Sequence, residues 1–445
     1  MLKTIIGREV LEYLKSAKFL IGLGITLVLA AGGTVINVQD FKQRQQDYQA
    51  AVQELKGDRF YIRLFRPPQV LSTLIQGRDR KLGDSITLTY ITLPARTSGY
   101  MGEGRSQHQR FISGFAAVDL AFIVRVVLSL LVVFIAYNAV SEEKAAGTLK
   151  LVLSNRVPRD RLLLGKFLGG WFVILGSLLV STLVSVIVAL AHSFVAFGTG
   201  EWTRLLGFLG LSAVYLTVFY ALSLFVSVLT NRPSASLLAL LQAWVFLIVI
   251  YPNLGVVAAS NLVKLPSAEQ LARQKEAAFQ PYEAEQKKVQ EAFGQAVNSG
   301  QPVPKEVGLR NVELWALRAE LGHQVDEEYG RKLAAQAGLA RTLSALSPAV
   351  LFDQAAERYA RTGLSEYDRF MREVYRYWQQ HVERTKLRYV DYESAKKAPA
   401  IEFRPQVEST AEALASTWLP ALLLVFSGLA FFALGHVAFL KKDIR

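Results

Sequence analysis

Cysteine is absent from the 445-residue chain, which removes disulfides, thiolate nucleophiles and cysteine-based metal sites together. The five histidines, His108, His192, His323, His381 and His436, fall in no HxxxH or HxH spacing, so a metal centre is not expected. Nucleotide phosphates have no cradle either, because GxxxxGK[ST] does not occur. Gly165-Lys166 is followed by Phe167, position 160 is Asp160 rather than glycine, and no strand precedes the pair. No HExxH is present. A single dense run of positive charge is also missing. The net +13 is spread over the flanks of apolar segments and two longer polar regions, which argues against a nucleic-acid footprint.

What the chain does contain is apolar length. Half of it is hydrophobic (51%), and the mean hydropathy is positive at +0.25. About twenty apolar residues cross roughly 30 Å of hydrocarbon as a helix. Six stretches meet that requirement: Phe19 to Val38, Val118 to Asn138, Phe167 to Val195, Leu205 to Thr230, Ser236 to Ala259 and Ala413 to Leu440. The first is not read as a cleaved signal peptide, because its basic leader is 18 residues long and no A-x-A site follows.

Positive residues in short loops mark the cytoplasmic side. Lys3, Arg8, Lys15 and Lys18, then Lys144, Arg159, Arg161 and Lys166, then Arg232, then Lys441, Lys442 and Arg445 all fall on one face, whereas the loop AFGTGEW has Glu201 and no Lys or Arg. Both ends are therefore expected in the cytoplasm. Residues 1–18 place Leu2, Ile6, Val10, Tyr13 and Ala17 on one stripe. This suggests an amphipathic helix in the interface with the stripe toward acyl chains, or else a plain extension of the first span.

Residues 39–117 and 260–412 then lie outside the cytoplasm. In the first, SITLTYITL alternates as a strand does, and RPPQVLSTLIQG reads as an extended step into a short helix ended by Gly77. In the second, helix formers dominate. A long helix from PSAEQL, a break at NSGQPVP and a second long helix make a hairpin; Pro348 and Ser365 open two more. Tyr367, Phe370, Tyr375, Tyr377 and Trp378 recur at helical spacing and read as packing rather than a ligand platform. The two outer segments are expected to fold together.

The charged loop 139–166 stands apart from this. SEEKAAGTLKLVLSNRVP offers a short helix, a glycine at 147, an apolar stripe and a turn, with Pro158 suited to the first turn of the next helix. Glu142 and Glu143 could be nominated as an acid–base pair, but adjacent helical residues point about 100° apart and nothing would hold a substrate between them. A rigid docking element is the better reading. Within the spans, Arg125, Asn138 and Gln242 are candidates for a translocation pathway, since polar groups in hydrocarbon are costly. Arg125 is expected to face the bundle or a dimer axis, or else to snorkel to the outer interface or bind an outer-domain carboxylate. The glycines of AAGGTV and LGGW read as helix-packing positions.

SEEKAAGTLKLVLSNRVPRDRLLLGKFLGG resembles the signature of ABC-2 type transporter permeases, in which an acidic pair precedes GTL. RPPQVLSTLIQG and LSPAVLFDQAAERYARTGLSEYDRFMREV resemble the branch with a large extracytoplasmic insertion. The resemblance implies an all-α membrane protein of six spans, ABCG/ABCA-like half-transporter in fold, with a mainly helical outer domain and a small β element. It implies a bacterial inner-membrane exporter subunit working as a dimer, with a second copy or a sister chain. It further implies a separate cytoplasmic ABC ATPase docked at Glu142, Glu143, Gly147, Thr148, Leu149 and Pro158. This chain would have no cofactor of its own, ATP and magnesium residing on the partner. Few polar residues in the spans suggest a lipid-like or amphiphilic cargo. The alternative is a subunit that moves its outer domain mechanically with no cargo crossing.

Overall fold

The computed structural model describes residues 2–54, 62–79, 82–89, 93, 118–149, 154, 158–397, 401–403 and 405–441. Tyr90 of the predicted strand, residues 94–117 and much of the turn before Pro158 lie outside these. Helix α1 is Leu2–Lys15 and α2 is Ala17–Glu54. α3 runs Leu120–Phe122, winds through a π turn at Ile123–Leu128 and continues Ser129–Ala136. The short α4 (Ser141–Ala145) precedes α5 (Arg159–Leu190) and α6 (Thr199–Leu229). α7 spans Pro233–Val245, a second π turn at Phe246–Ile250 and Tyr251–Leu262. Then follow α8 (Ala268–Phe279), α9 (Glu283–Asn298), α10 (Lys305–Leu343), α11 (Pro348–Ala360), α12 (Leu364–Val390), α13 (Tyr392–Lys397) and α14 (Thr410–Lys441).

Among the described residues, six helices are long and apolar enough to cross a membrane. Those built on α3 and α6 form the centre, with 61% of the most apolar window of each buried. The windows of α7 and α14 are only 11% and 22% buried. Side chains such as Val249, Leu254, Phe426 and Leu429 are left exposed, which hydrocarbon tolerates and water does not. The helix that carries the first span runs on beyond it. α2 continues through 38 residues to Glu54, about 57 Å at 1.5 Å per residue and so well past the hydrocarbon. Its far half is held by Arg44, buried, which donates to Asp40 (3.0 Å) and Ser72 (2.9 Å) and pairs with Asp79. Asp79 in turn pairs with Arg66 at 2.7 Å.

Both π turns carry hydrogen bonds from other elements. An extra residue in a helical turn displaces the regular ladder. The Arg125 carbonyl accepts from the Tyr215 hydroxyl (2.9 Å) and from Ser129 Oγ, and Ser129 Oγ accepts from Trp244 Nε1 of α7 (2.9 Å). The Leu247 carbonyl accepts from Ser347 Oγ at 2.6 Å. In hydrocarbon a carbonyl left unpaired costs several kcal/mol, so these partners hold the bulges in place.

The two segments expected outside the cytoplasm, called the outer domain below, fold together. β1 (Ile62–Phe65) pairs antiparallel with β2 (Ser85–Leu88), Ile62 opposite Leu88 and Phe65 opposite Ser85. Ile62, Leu64, Ile86 and Leu88 turn inward onto Tyr367, Phe370, Val374 and Trp378 of α12. Trp378 Nε1 donates to the Thr89 carbonyl at 3.0 Å. The aromatic series is thus packing, with Tyr375 only partly buried at its edge. The first hairpin helix breaks where one helix was predicted, at Gln280–Tyr282, because Pro281 cannot donate to the ladder. α12 begins at Leu364 with Gly363 as its cap, two residues ahead of the predicted Ser365 cap.

Helix α11 joins this outer domain to the spans. Its inner face, Leu351, Phe352, Ala355 and Ala356, belongs to the main core, and Glu357 lies beside Arg78 at 2.9 Å. Burial pushes the Glu357 carboxyl up from 4.5 to about 7, with Arg78 acting the other way. A carboxyl raised above its unfolded value contributes stability that is complete below the unfolded value and is lost as pH rises through the folded one. Between about pH 5 and pH 8 the wild-type chain is therefore expected to lose up to a few kcal/mol relative to Glu357→Gln. Thermal unfolding of both proteins in the same detergent across that range measures the difference.

Candidate functional site at the loop between spans two and three

The loop begins as a helix because SEEKA combines good helix formers with acidic residues at the positive end of the turn. It stops at Gly147, whose φ of +72° disfavours a side chain. The Gly147 amide donates back to the Lys144 carbonyl at 3.1 Å. Beyond the turn the chain divides its two faces. Thr148 is exposed, with its hydroxyl on the Glu143 carbonyl at 3.3 Å, while Leu149 is buried in the main core. Pro158 is exposed at the N-cap of α5, one residue before the position predicted for it.

Two sets of contacts fix this element. The first bolts it to the end of α6. Ser227 Oγ accepts the amides of Val140 and Ser141, each at 3.0 Å. Lys144 Nζ donates to the carbonyls of Ser227 (3.3 Å), Thr230 (3.1 Å) and Val228. These carbonyls belong to the last turn of α6, where the ladder leaves acceptors unpaired and the helix dipole favours a cation.

The second set ties it to α1 through a buried lysine. Lys166, predicted to end the loop, instead lies within α5, which starts eight residues earlier than the expected span. Its ammonium sits 2.8 Å from Glu9 of α1 and 2.9 Å from Glu143 of α4. Only 6% of the Lys166 side chain is exposed, against 11% for Glu9 and 25% for Glu143. The Tyr220 hydroxyl donates to the Lys166 carbonyl at 2.8 Å, adding α6 to the same junction.

Glycines bring α1 close enough for this pairing. A Cβ at Gly165 would stand 2.6 Å from Ile5, and one at Gly169 would stand 2.7 Å from the Glu9 Cβ. The LGGW glycines are indeed contact positions, Gly170 lying under the Tyr220 ring. The stripe expected to face acyl chains is turned the other way. Leu2 and Tyr13 pack inward with Ile5 and Glu9, and it is Leu11 and Leu14 that are exposed among Lys3, Arg8 and Lys15. A glycine-notched helix offers α1 a closer surface than lipid does.

Around the triad opens a cleft of about 410 Å³ whose walls include Arg8, Glu12, Tyr13, Asn138, Glu142 and Thr148. Asn138, expected on the pathway, belongs here: its amide donates to Glu142. Arg125 and Gln242 do not join the cluster. Arg125 pairs with Asp353 of α11, the kind of carboxylate that was one of its expected partners. Asp119 spends its carboxylate on the amides of Phe122 (2.7 Å), Gln76 (2.7 Å) and Gly77 (3.0 Å), and makes no hydrogen bond to Arg125. Gln242 is exposed on α7. Glu9 was missed from sequence, although it lies on the inward stripe three residues after Ile6 and is the one acid on that face.

These features define a multi-pass membrane protein with a clamped loop between its second and third spans. The chain belongs to the ABC-2 family of transporter proteins, whose family model matches residues 3–444. No curated protein shows significant similarity to it.

Removing the central cation leaves two carboxylates facing each other in a poorly hydrated junction. Lys166→Met is expected to cost about 3–5 kcal/mol. The triple variant Glu9→Gln, Lys166→Met, Glu143→Gln is expected to recover most of that, because no charge is then buried alone. Chemical or thermal unfolding in micelles separates the two outcomes.

Proposed function

We propose that the chain is the membrane-spanning permease of an ABC exporter, driven by a separate ATPase that docks on α4 and the residues after it. The observation that carries this reading is the clamp of Lys144 and Ser227 on the end of α6. A push on α4 has no slack to absorb it and passes into a helix of 31 residues. The cytoplasm would lie on the side of α4, Lys18 and Arg232, as the positive residues suggest, in a bacterial inner membrane. ATP and magnesium would reside on the ATPase, with this chain holding neither.

Gln242 supports a further subunit. Left to lipid, an exposed amide on an apolar span is costly, and a second copy or a sister permease would cover it. The cargo we favour is lipid-like or amphiphilic, since the exposed span faces are almost wholly apolar.

One observation favours the mechanical alternative, in which the outer domain moves with no cargo crossing. At the far end of α6, the fully buried Arg204 donates to the carbonyls of Arg358 (3.1 Å), Tyr359 (3.3 Å) and Glu408 (2.7 Å). The helix clamped at the loop thus also holds the outer domain.

Capture of the tagged protein from its native membrane in mild detergent, followed by mass spectrometry, tests the proposal. An ABC ATPase is expected with wild type and is expected to be lost, or its ATP turnover uncoupled, with Glu142→Ala/Glu143→Ala. Absence of any ATPase under all mild conditions contradicts it. Stimulation of ATP turnover by added lipids then favours export over mechanical transmission.

A further inference from the structure

We infer that Lys166 is a releasable joint: a positioning residue that lets α4 leave α1 without stranding a buried cation. The geometry is a single ammonium between two carboxylates from different elements, Glu9 at 2.8 Å and Glu143 at 2.9 Å. One partner would be enough to keep the cation paired. The second makes one of the two contacts dispensable.

The two partners are not equivalent. Glu9 is the more buried, and α1 behind it is seated on Gly165 and Gly169. Glu143 is the more exposed at 25%, and its second oxygen, Oε2, is buried with no hydrogen-bond partner among the described residues. A half-satisfied carboxylate gains hydration when it moves outward, whereas Lys166 stripped of both partners would be a bare buried charge. Glu143 is therefore the contact that opens and Glu9 the one that stays. Movement of α4 by a docked ATPase would hand Lys166 wholly to Glu9. That last step rests on the docking reading above; the joint itself does not.

A structural clamp and a releasable joint differ in the sign of one substitution, Glu9→Gln. If Glu9 and Glu143 merely hold the junction together, losing either one loosens α4. For the joint, Glu143→Gln removes the contact that must break, so the released population rises. Glu9→Gln makes Glu143 the sole counter-ion, so that population falls. A charge-assisted hydrogen bond sets the size of each shift at roughly tenfold or more.

The chain's lack of cysteine makes the measurement direct. Spin labels on Glu12→Cys and Ala146→Cys, both exposed positions, report the α1 to α4 distance by pulsed electron resonance on the full chain in lipid nanodiscs. Growth of a longer-distance population in Glu143→Gln, with its shrinkage in Glu9→Gln, is the expected result. Loosening in both variants, or no change in either, overturns the joint. Lys166→Arg, which keeps charge and both partners, is expected to retain the wild-type distribution, and a collapse there also overturns it. Because this readout needs no ATPase, it can fail while the captured ATPase upholds the docking reading, and the reverse.

Discussion

A buried cation must keep a counter-charge, and much of the junction beside α4 is arranged around that rule. Lys166 lies where α1, α4 and α5 meet, and α6 reaches the same point through the Tyr220 hydroxyl. Loss of its partners would cost several kcal/mol, comparable to a sizeable part of a membrane bundle's stability. The glycines of α5 exist in this setting as spacing, since a single methyl at Gly169 would press on the Glu9 Cβ and move the carboxylate.

The same economy recurs at the other charged positions. Lys144 donates to the carbonyls at one end of α6, and Arg204 donates to carbonyls presented near its other end. Arg125 is tied to Asp353, and Arg44 to Asp40 and Asp79. Each of these cations joins elements far apart in sequence, so the polar groups of the spans act as rivets between the loop, the rods and the outer domain. α6 is the common rod. Clamped near α4 and riveted to α11 and Glu408, it gives a continuous path from the loop to the outer domain, whichever way that motion is used.

The spans were legible because hydropathy over eighteen residues records one physical requirement, the thickness of hydrocarbon. The strand SITL was legible from alternation, Ile86 and Leu88 being buried and Thr87 exposed, and the role of the α12 aromatics from helical spacing. What sequence reading did not reveal depends on partners. The extra length of α2 rests on Arg44 meeting Asp79, 35 residues away. The inward turn of α1 rests on glycines near position 165, and so Glu9 carried no local mark beyond its place on the apolar stripe. The π turns also left no signature, because they are held by Tyr215, Trp244 and Ser347 from other elements. Of the loop itself, Glu142, Glu143, Gly147, Thr148, Leu149 and Pro158 were read from composition and resemblance, whereas Lys144, which ties α4 to α6, and Lys166, which pairs with Glu143, were seen only as basic flanks.

The most direct test of α4 as a docking element is a photo-crosslinking amino acid at Thr148, which is exposed just past the Gly147 turn. Illumination of intact membranes followed by mass spectrometry identifies whatever touches that position. A crosslink to a protein carrying a nucleotide-binding loop is the expected result. Crosslinks confined to lipid, or to proteins with no ATPase among them, would contradict the docking of an ATPase on this loop.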